Sequence, residues 1–206
     1  MTNLGDRAKS PRGQRTRESL IDAGIELLVE GGWSAVTTRA VAARSASNAG
    51  LVHYHFGGLS GLRMALAERA AERAVGPLVG MLLNSADFDE AISAVHVGIT
   101  ELASDDQRVR LAAELVAGAG HDSQLGAAFQ KNLSGARDAI TGWVGAQRPQ
   151  WSQERRKGVA ALAAALLDGF LLHRALDESA PLAEAVTALR AWVSADDRGT
   201  LSSPAA

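Results

Sequence analysis

Residues 48 to 54 read Asn-Ala-Gly-Leu-Val-His-Tyr, and their side chains suit the surface of a nucleic-acid duplex. The amide of Asn48 can pair with an adenine edge through both its oxygen and its nitrogen, and Ala49 or Leu51 can pack on a thymine methyl. His53 and Tyr54 can donate to phosphate oxygens. Such contacts need a short helix with a free outer face lying in the major groove, and a preceding helix that crosses the phosphate backbone. The flanking residues predict that pair. Thr37 or Thr38 can cap a helix over Thr38–Arg44, because a threonine hydroxyl accepts from an orphan N–H. Val41 and Ala42 give that helix an inward face, Ser45-Ala46-Ser47 breaks it, and the second helix covers Asn48–Tyr54 before Gly57-Gly58 closes it.

Two further helices must hold the pair. Leu20, Ile21, Gly24, Leu27 and Leu28 recur at the spacing of one α-helical face, which predicts a helix over Arg15–Glu30 stopped by Gly31-Gly32. A long helix over Ser60–Val75 ends at Pro77. Beyond it, apolar residues repeat at helical period over 78–84, 88–103, 107–117, 124–147, 153–177 and 181–195, separated by clusters of Gly, Pro, Asp and Ser. No stretch alternates as a strand would. The fold class expected is all-α: an N-terminal three-helix helix-turn-helix domain joined by a long helix to a larger helical domain. The expected divisions are a flexible basic arm over 1–14, the helix-turn-helix domain over 15–60, the larger helical domain over 61–195, and a disordered tail over 196–206.

Composition narrows the chemistry. The chain has 206 residues, 47% hydrophobic and 21% charged, enough to bury a core. Cysteine is absent, which removes disulfides, thiolate metal sites and cysteine nucleophiles. The start of the chain is polar and basic, without the apolar stretch of a secretory signal. The longest apolar run, Val159 to Leu167, falls far short of the ~20 residues a bilayer requires, so a cytoplasmic location with no membrane partner is expected. Net charge is −2, but it is unevenly spread. Residues 1–76 carry ten Lys/Arg against seven Asp/Glu, and the remainder carries 11 against 16. A basic front and an acidic back imply that the front meets phosphate.

From Arg15 to about Leu66 the sequence resembles the N-terminal domain of the TetR family of bacterial transcriptional regulators. The residues that carry the resemblance are Arg17, Ala23-Gly24, Leu27-Leu28, Gly32, Thr37, Val41-Ala42 and the run Gly50-Leu51-Val52-His53-Tyr54-His55-Phe56. It implies DNA contacts from Arg17, Thr37, Thr38, Arg39, Asn48, Ala49, Gly50, Leu51, His53 and Tyr54, with Phe56 in the core. His53 stands where the family usually has a phosphate-binding tyrosine. Three positions depart from the family pattern. The usual turn glycine is Ala46, read here as a turn with ordinary backbone angles. The small residue after it is Ser47, and the phosphate-binding lysine opening the fourth helix is Leu59. The resemblance further implies a homodimer on a pseudo-palindromic, double-stranded operator, with the last two helices forming the subunit interface.

Candidate interface residues are Ala160, Ala164, Leu167, Leu171, Leu189 and Trp192, the alanines permitting close helix approach. Candidate effector-binding residues are His96, His121, Phe129, Trp143 and Phe170, for a small apolar or amphipathic ligand in a pocket between helices. No cofactor and no metal site is expected: His53 and His55 do not share a helical face, and only Asp177 stands one turn from His173. No catalytic triad or phosphate-cradling loop is legible, so an enzyme is not expected. The expected function is a repressor released from DNA by a small molecule. The alternative is a constitutive or partner-gated DNA-binding regulator without an effector.

Overall fold

The computed structural model describes residues 10–103, 105–177 and 179–197. Most of the expected arm, 1–9, and most of the expected tail, 198–206, lie outside the described residues. Among those described, all regular structure is α-helical: α1 (Pro11–Ala35), α2 (Thr38–Arg44), α3 (Ala49–Phe56), α4 (Leu59–Ala74), α5 (Gly76–Asn84), α6 (Phe88–Ala103), α7 (Asp106–His121), α8 (Ser123–Gln147), α9 (Gln153–Leu176) and α10 (Leu182–Asp197).

The first helix starts four residues earlier than its apolar period predicts. Ser10 caps it, its hydroxyl accepting from the Gly13 N–H at 3.1 Å, and Pro11 occupies the first turn, where its missing N–H costs nothing. At the other end Gly31 and Gly32 leave helical geometry without terminating the element; the chain kinks there and makes one more turn to Ala35.

Contacts divide the chain into two compact units. The first comprises residues 1–74 together with 110–133, and the second 75–109 together with 134–206. Helices α7 and α8 therefore each contribute one end to each unit.

In the first unit α1 packs on α2 and α4, and α3 on α2 and α4. Leu20, Ile21, Leu28, Val41, Val52, Leu62 and Leu66 are buried between them. Burying an aliphatic side chain of this size contributes roughly 1.5–3 kcal/mol. Ion pairs lace the rim of the α1–α4 contact: Arg69 to Glu18 at 2.6 Å and Arg73 to Asp22 at 2.6 Å.

The second unit is built on the α5–α6 hairpin, with α9 and α10 against α6. Leu82, Ala91, Ile140, Val144 and Ala160 form its buried centre. The Arg190 guanidinium donates to Ser93 Oγ at 2.6 Å, tying α10 to α6.

Candidate DNA-binding site and ligand cavity

Side-chain caps fix where α2 and α3 begin. The Thr37 hydroxyl accepts from the Ala40 N–H at 3.1 Å, and the Asn48 side-chain oxygen accepts from the Leu51 N–H at 3.1 Å. Asn48 therefore precedes α3 instead of opening it. The cap bond uses one of the two lone pairs of its oxygen and leaves the side-chain NH2 group exposed.

The turn between the helices is a Schellman motif. The Ser47 N–H donates to the Ala42 carbonyl at 2.8 Å and the Ala46 N–H to the Ala43 carbonyl at 3.2 Å, with Ala46 at φ 51°. Ordinary backbone angles were expected for Ala46, and that expectation is corrected. Closing this pattern requires a left-handed residue whatever its side chain, and alanine accepts the strain.

On α3, Val52 is buried and anchors the helix, while Gly50 and His53 are exposed and Ala49, Leu51 and Tyr54 are half-buried. Gly57 ends the helix in left-handed geometry. Phe56, expected in the core, is only half-buried; the Arg17 guanidinium lies over its ring, 5.2 Å from the centroid. His55 is also half-buried, and burial, then the charge of Arg17, hold its imidazole below the usual range.

Not every arginine of the basic front faces outward unengaged. Arg44 is gripped by Glu30 at 2.7 Å and Glu26 at 3.2 Å, and Arg69 and Arg73 are paired with acids as above. Arg63 donates to the Trp33 carbonyl at 3.1 Å. Arg39, on α2, is exposed and makes no ion pair with a described residue. Thr37 beside it is exposed and Thr38 half-buried. Thus Thr37, Arg39, Asn48, Gly50 and His53 are the exposed part of the DNA-contacting set expected from sequence.

A cavity of about 260 Å³ opens in the second unit between α5, α6, α8, α9 and α10. Phe88, Trp143, Trp151, Phe170 and Trp192 frame it, and Arg148 supplies the charged group of its lining. Phe88 meets Trp143 edge-on at 5.0 Å and Trp151 at 5.9 Å. The Trp143 indole N–H is taken by the Ser85 carbonyl at 3.1 Å.

Of the effector-binding candidates, Trp143 and Phe170 line this cavity. His96 and Phe129 are half-buried elsewhere, and His121 is exposed with its Nδ1 on the Ala117 carbonyl at 2.8 Å. The interface candidates divide differently from their expected grouping. Ala160, Ala164 and Leu167 are buried within their own unit. Leu167, Leu189 and Trp192 line the cavity. The side chain of Leu171 lies outside the described residues. The apolar stripe read along α9 is thus two faces: a buried one, and an exposed one carrying Ala161, Leu162, Ala165 and Leu172. Phe88, Arg148 and Trp192 were missed as cavity residues. The available signal was the scarcity of aromatics, nine in the chain, of which five frame this one space.

Residues 20–66 match the model of bacterial regulatory proteins, tetR family. No curated relative matches the chain by sequence. Among solved structures, a transcriptional regulator of Pseudomonas aeruginosa PAO1 superposes with a TM-score of 0.74 at 20% identity, covering 96% of this chain and 97% of that one. A transcriptional regulator of Streptomyces coelicolor A3(2) is 28% identical with a TM-score of 0.66, over 79% of this chain and 88% of its own. The multidrug binding protein EbrR, complexed with proflavin, gives a TM-score of 0.63 at 21% identity, over 84% and 96%. No described helix is long and apolar enough to cross a membrane. A capped helix-turn-helix thus lies inside the residues that match bacterial regulatory proteins of the tetR family, and the chain as a whole shares its all-α fold with solved transcriptional regulators.

Proposed function

We propose that the protein is a homodimeric repressor that binds a pseudo-palindromic operator through α3 and leaves it when a small molecule fills the cavity of the second unit. The observation that carries this reading is the cavity itself: a space framed by five aromatic side chains inside an otherwise aliphatic core. Interiors pack to high density, and a ligand lying against the walls of such a space gains dispersion contacts with them. That the similarly folded EbrR is a multidrug binding protein complexed with proflavin supports a small-molecule effector here.

A second subunit fits the exposed apolar residues of α9 and α10. Leu162, Leu172 and Trp192 are 58%, 41% and 68% exposed, and Ala161 and Ala165 beside them let a partner helix approach closely. Two-fold symmetry would set two copies of α3 about one turn of DNA apart. Leu162 and Trp192 also border the cavity, so a ligand there touches the residues that would meet the partner. The functional domains proposed are a DNA-binding domain over 15–60 and an effector and dimerisation domain over 61–195.

Ligand and DNA must weaken each other by the same factor, typically about 5–150-fold. The test is to saturate labelled DNA from the protein's own upstream region with the full chain, then add a panel of aromatic small molecules. Release of DNA by a compound that also quenches tryptophan fluorescence is the expected result. Quenching with DNA affinity unchanged, across every compound that fills the cavity, overturns effector release.

A further inference from the structure

We infer that the cavity of the second unit selects an aromatic or alicyclic monoanion, a ring body carrying one carboxylate or sulfonate. This rests on reading the cavity as a ligand site. Its walls present ring faces and aliphatic groups; among the described residues Arg148 is its one charged lining residue, and no acidic side chain and no histidine lines it. Trp143 offers only its ring, because the Ser85 carbonyl takes its N–H. Little at the walls can therefore bind a polar body.

Charge at the cavity is one-sided. The Arg148 guanidinium lies 4.9 Å from the Phe88 ring centroid and 5.9 Å from that of Trp151, and Arg155 sits over Trp151 at 4.1 Å. A guanidinium carries five donors in a planar fork that fits a carboxylate at two points, so an anionic group adds to the partners Arg148 already has. A cationic ligand would be desolvated beside like charge with no acid in the walls to offset it. A ring body gains stacking on the aromatic frame. An anion with an apolar ring is therefore the chemistry that satisfies both ends of the space.

Three probes applied to the full chain separate the possibilities: 1-anilinonaphthalene-8-sulfonate, its uncharged counterpart N-phenyl-1-naphthylamine, and the cation proflavin. Binding is read from probe fluorescence and tryptophan quenching. The anion is expected to bind about tenfold more tightly than the neutral probe, the gain of one charge-assisted contact. Arg148→Met is expected to remove that difference and leave the neutral probe unaffected, while Arg148→Lys keeps part of it. Ala163→Phe, which fills the cavity, is expected to weaken both. Equal binding of anion and neutral probe by the unsubstituted chain overturns the inference and leaves the site reading intact; that comparison needs no variant to fold. Tightest binding of proflavin, or anion binding indifferent to Arg148→Met or to Ala163→Phe, also overturns it. If none of the three probes binds, the reading of the cavity as a ligand site fails, and the inference falls with it.

Discussion

The Trp33 indole N–H donates to the backbone carbonyl of Glu114 at 2.7 Å, fastening the end of α1 to α7 within the first unit. The contact is reinforced from both sides. The Trp33 backbone N–H reaches a Glu114 carboxylate oxygen at 3.3 Å, and the Gly32 backbone, at φ 67°, lies so close that a side chain there would meet that carboxylate. The indole sits where any side chain on Gly118 would be, since a Cβ there would collide with Trp33 Nε1. The kink at Gly31-Gly32 thus turns Trp33 away from the helix axis and onto α7, whose first residues belong to the second unit.

Gly118→Ala is expected to expel the indole and destabilise the protein by about 1–3 kcal/mol, the usual range for overpacking. Trp33→Phe, which loses the N–H and the pyrrole part of the indole seated at Gly118, should cost about 1–3 kcal/mol. Chemical denaturation with a tryptophan-independent signal, such as far-ultraviolet dichroism, measures both. Equal stability of Gly118→Ala and the unsubstituted chain would mean that the seat is not filled in solution.

Ala46→Gly is expected to raise stability. Alanine at φ 51° costs about 1 kcal/mol or more in the folded state, and glycine returns part of that through greater freedom when unfolded. A net gain of about 0.5 kcal/mol is predicted, seen as a higher unfolding midpoint with unchanged slope. A loss would show that the alanine methyl makes contacts that outweigh the strain.

The helix-turn-helix was legible because its rules are local. Thr37 and Asn48 announce helix starts by residue type, Gly57 announces an end, and Val41, Ala42 and Val52 mark the inward faces. The left-handed turn at Ala46 was not legible, because its hydrogen-bond pattern, and not its residue type, dictates the angle. The cavity was illegible for a different reason. Periodicity shows that Val159, Leu162 and Leu166 share an apolar stripe, but not whether the stripe faces packed atoms, empty space or a partner. Phe88, Trp143, Trp151 and Trp192 stand on different helices or in the loop between them, and only tertiary packing brings them together. The same ambiguity applies to Ala160 and Ala164, read as interface candidates and buried within the second unit.

His55 predicts a pH response in the first unit. Burial and Arg17 lower its native proton affinity, so the unfolded chain takes up the proton first. Stability should be level above the ordinary histidine pKa of ~6.5 and fall as the pH drops from there toward the lowered native value. His55→Gln should flatten that part of the profile. Urea midpoints measured from about pH 8 to pH 5 check it; an unchanged slope in the variant would assign the response to other groups.

Arg39 and Arg44 should part company in DNA binding. Arg39 is exposed and makes no ion pair with a described residue, so Arg39→Ala should weaken binding on all sequences and reduce the salt slope by about one. Arg44 is held by Glu26 and Glu30, so Arg44→Ala should change the salt slope little. Anisotropy titrations at four salt concentrations separate the two; equal slopes for both variants would contradict the division.

The most direct test of sequence-specific DNA binding through α3 is selection of genomic DNA fragments by the purified full chain, followed by anisotropy on what is enriched. The predicted result is a two-fold-related sequence with half-sites about one helical turn apart, bound with steep salt dependence and lost on Gly50→Glu, which places a negative side chain on the exposed face of α3. Fragments enriched without a common sequence, or bound equally by the Gly50→Glu variant, would contradict it.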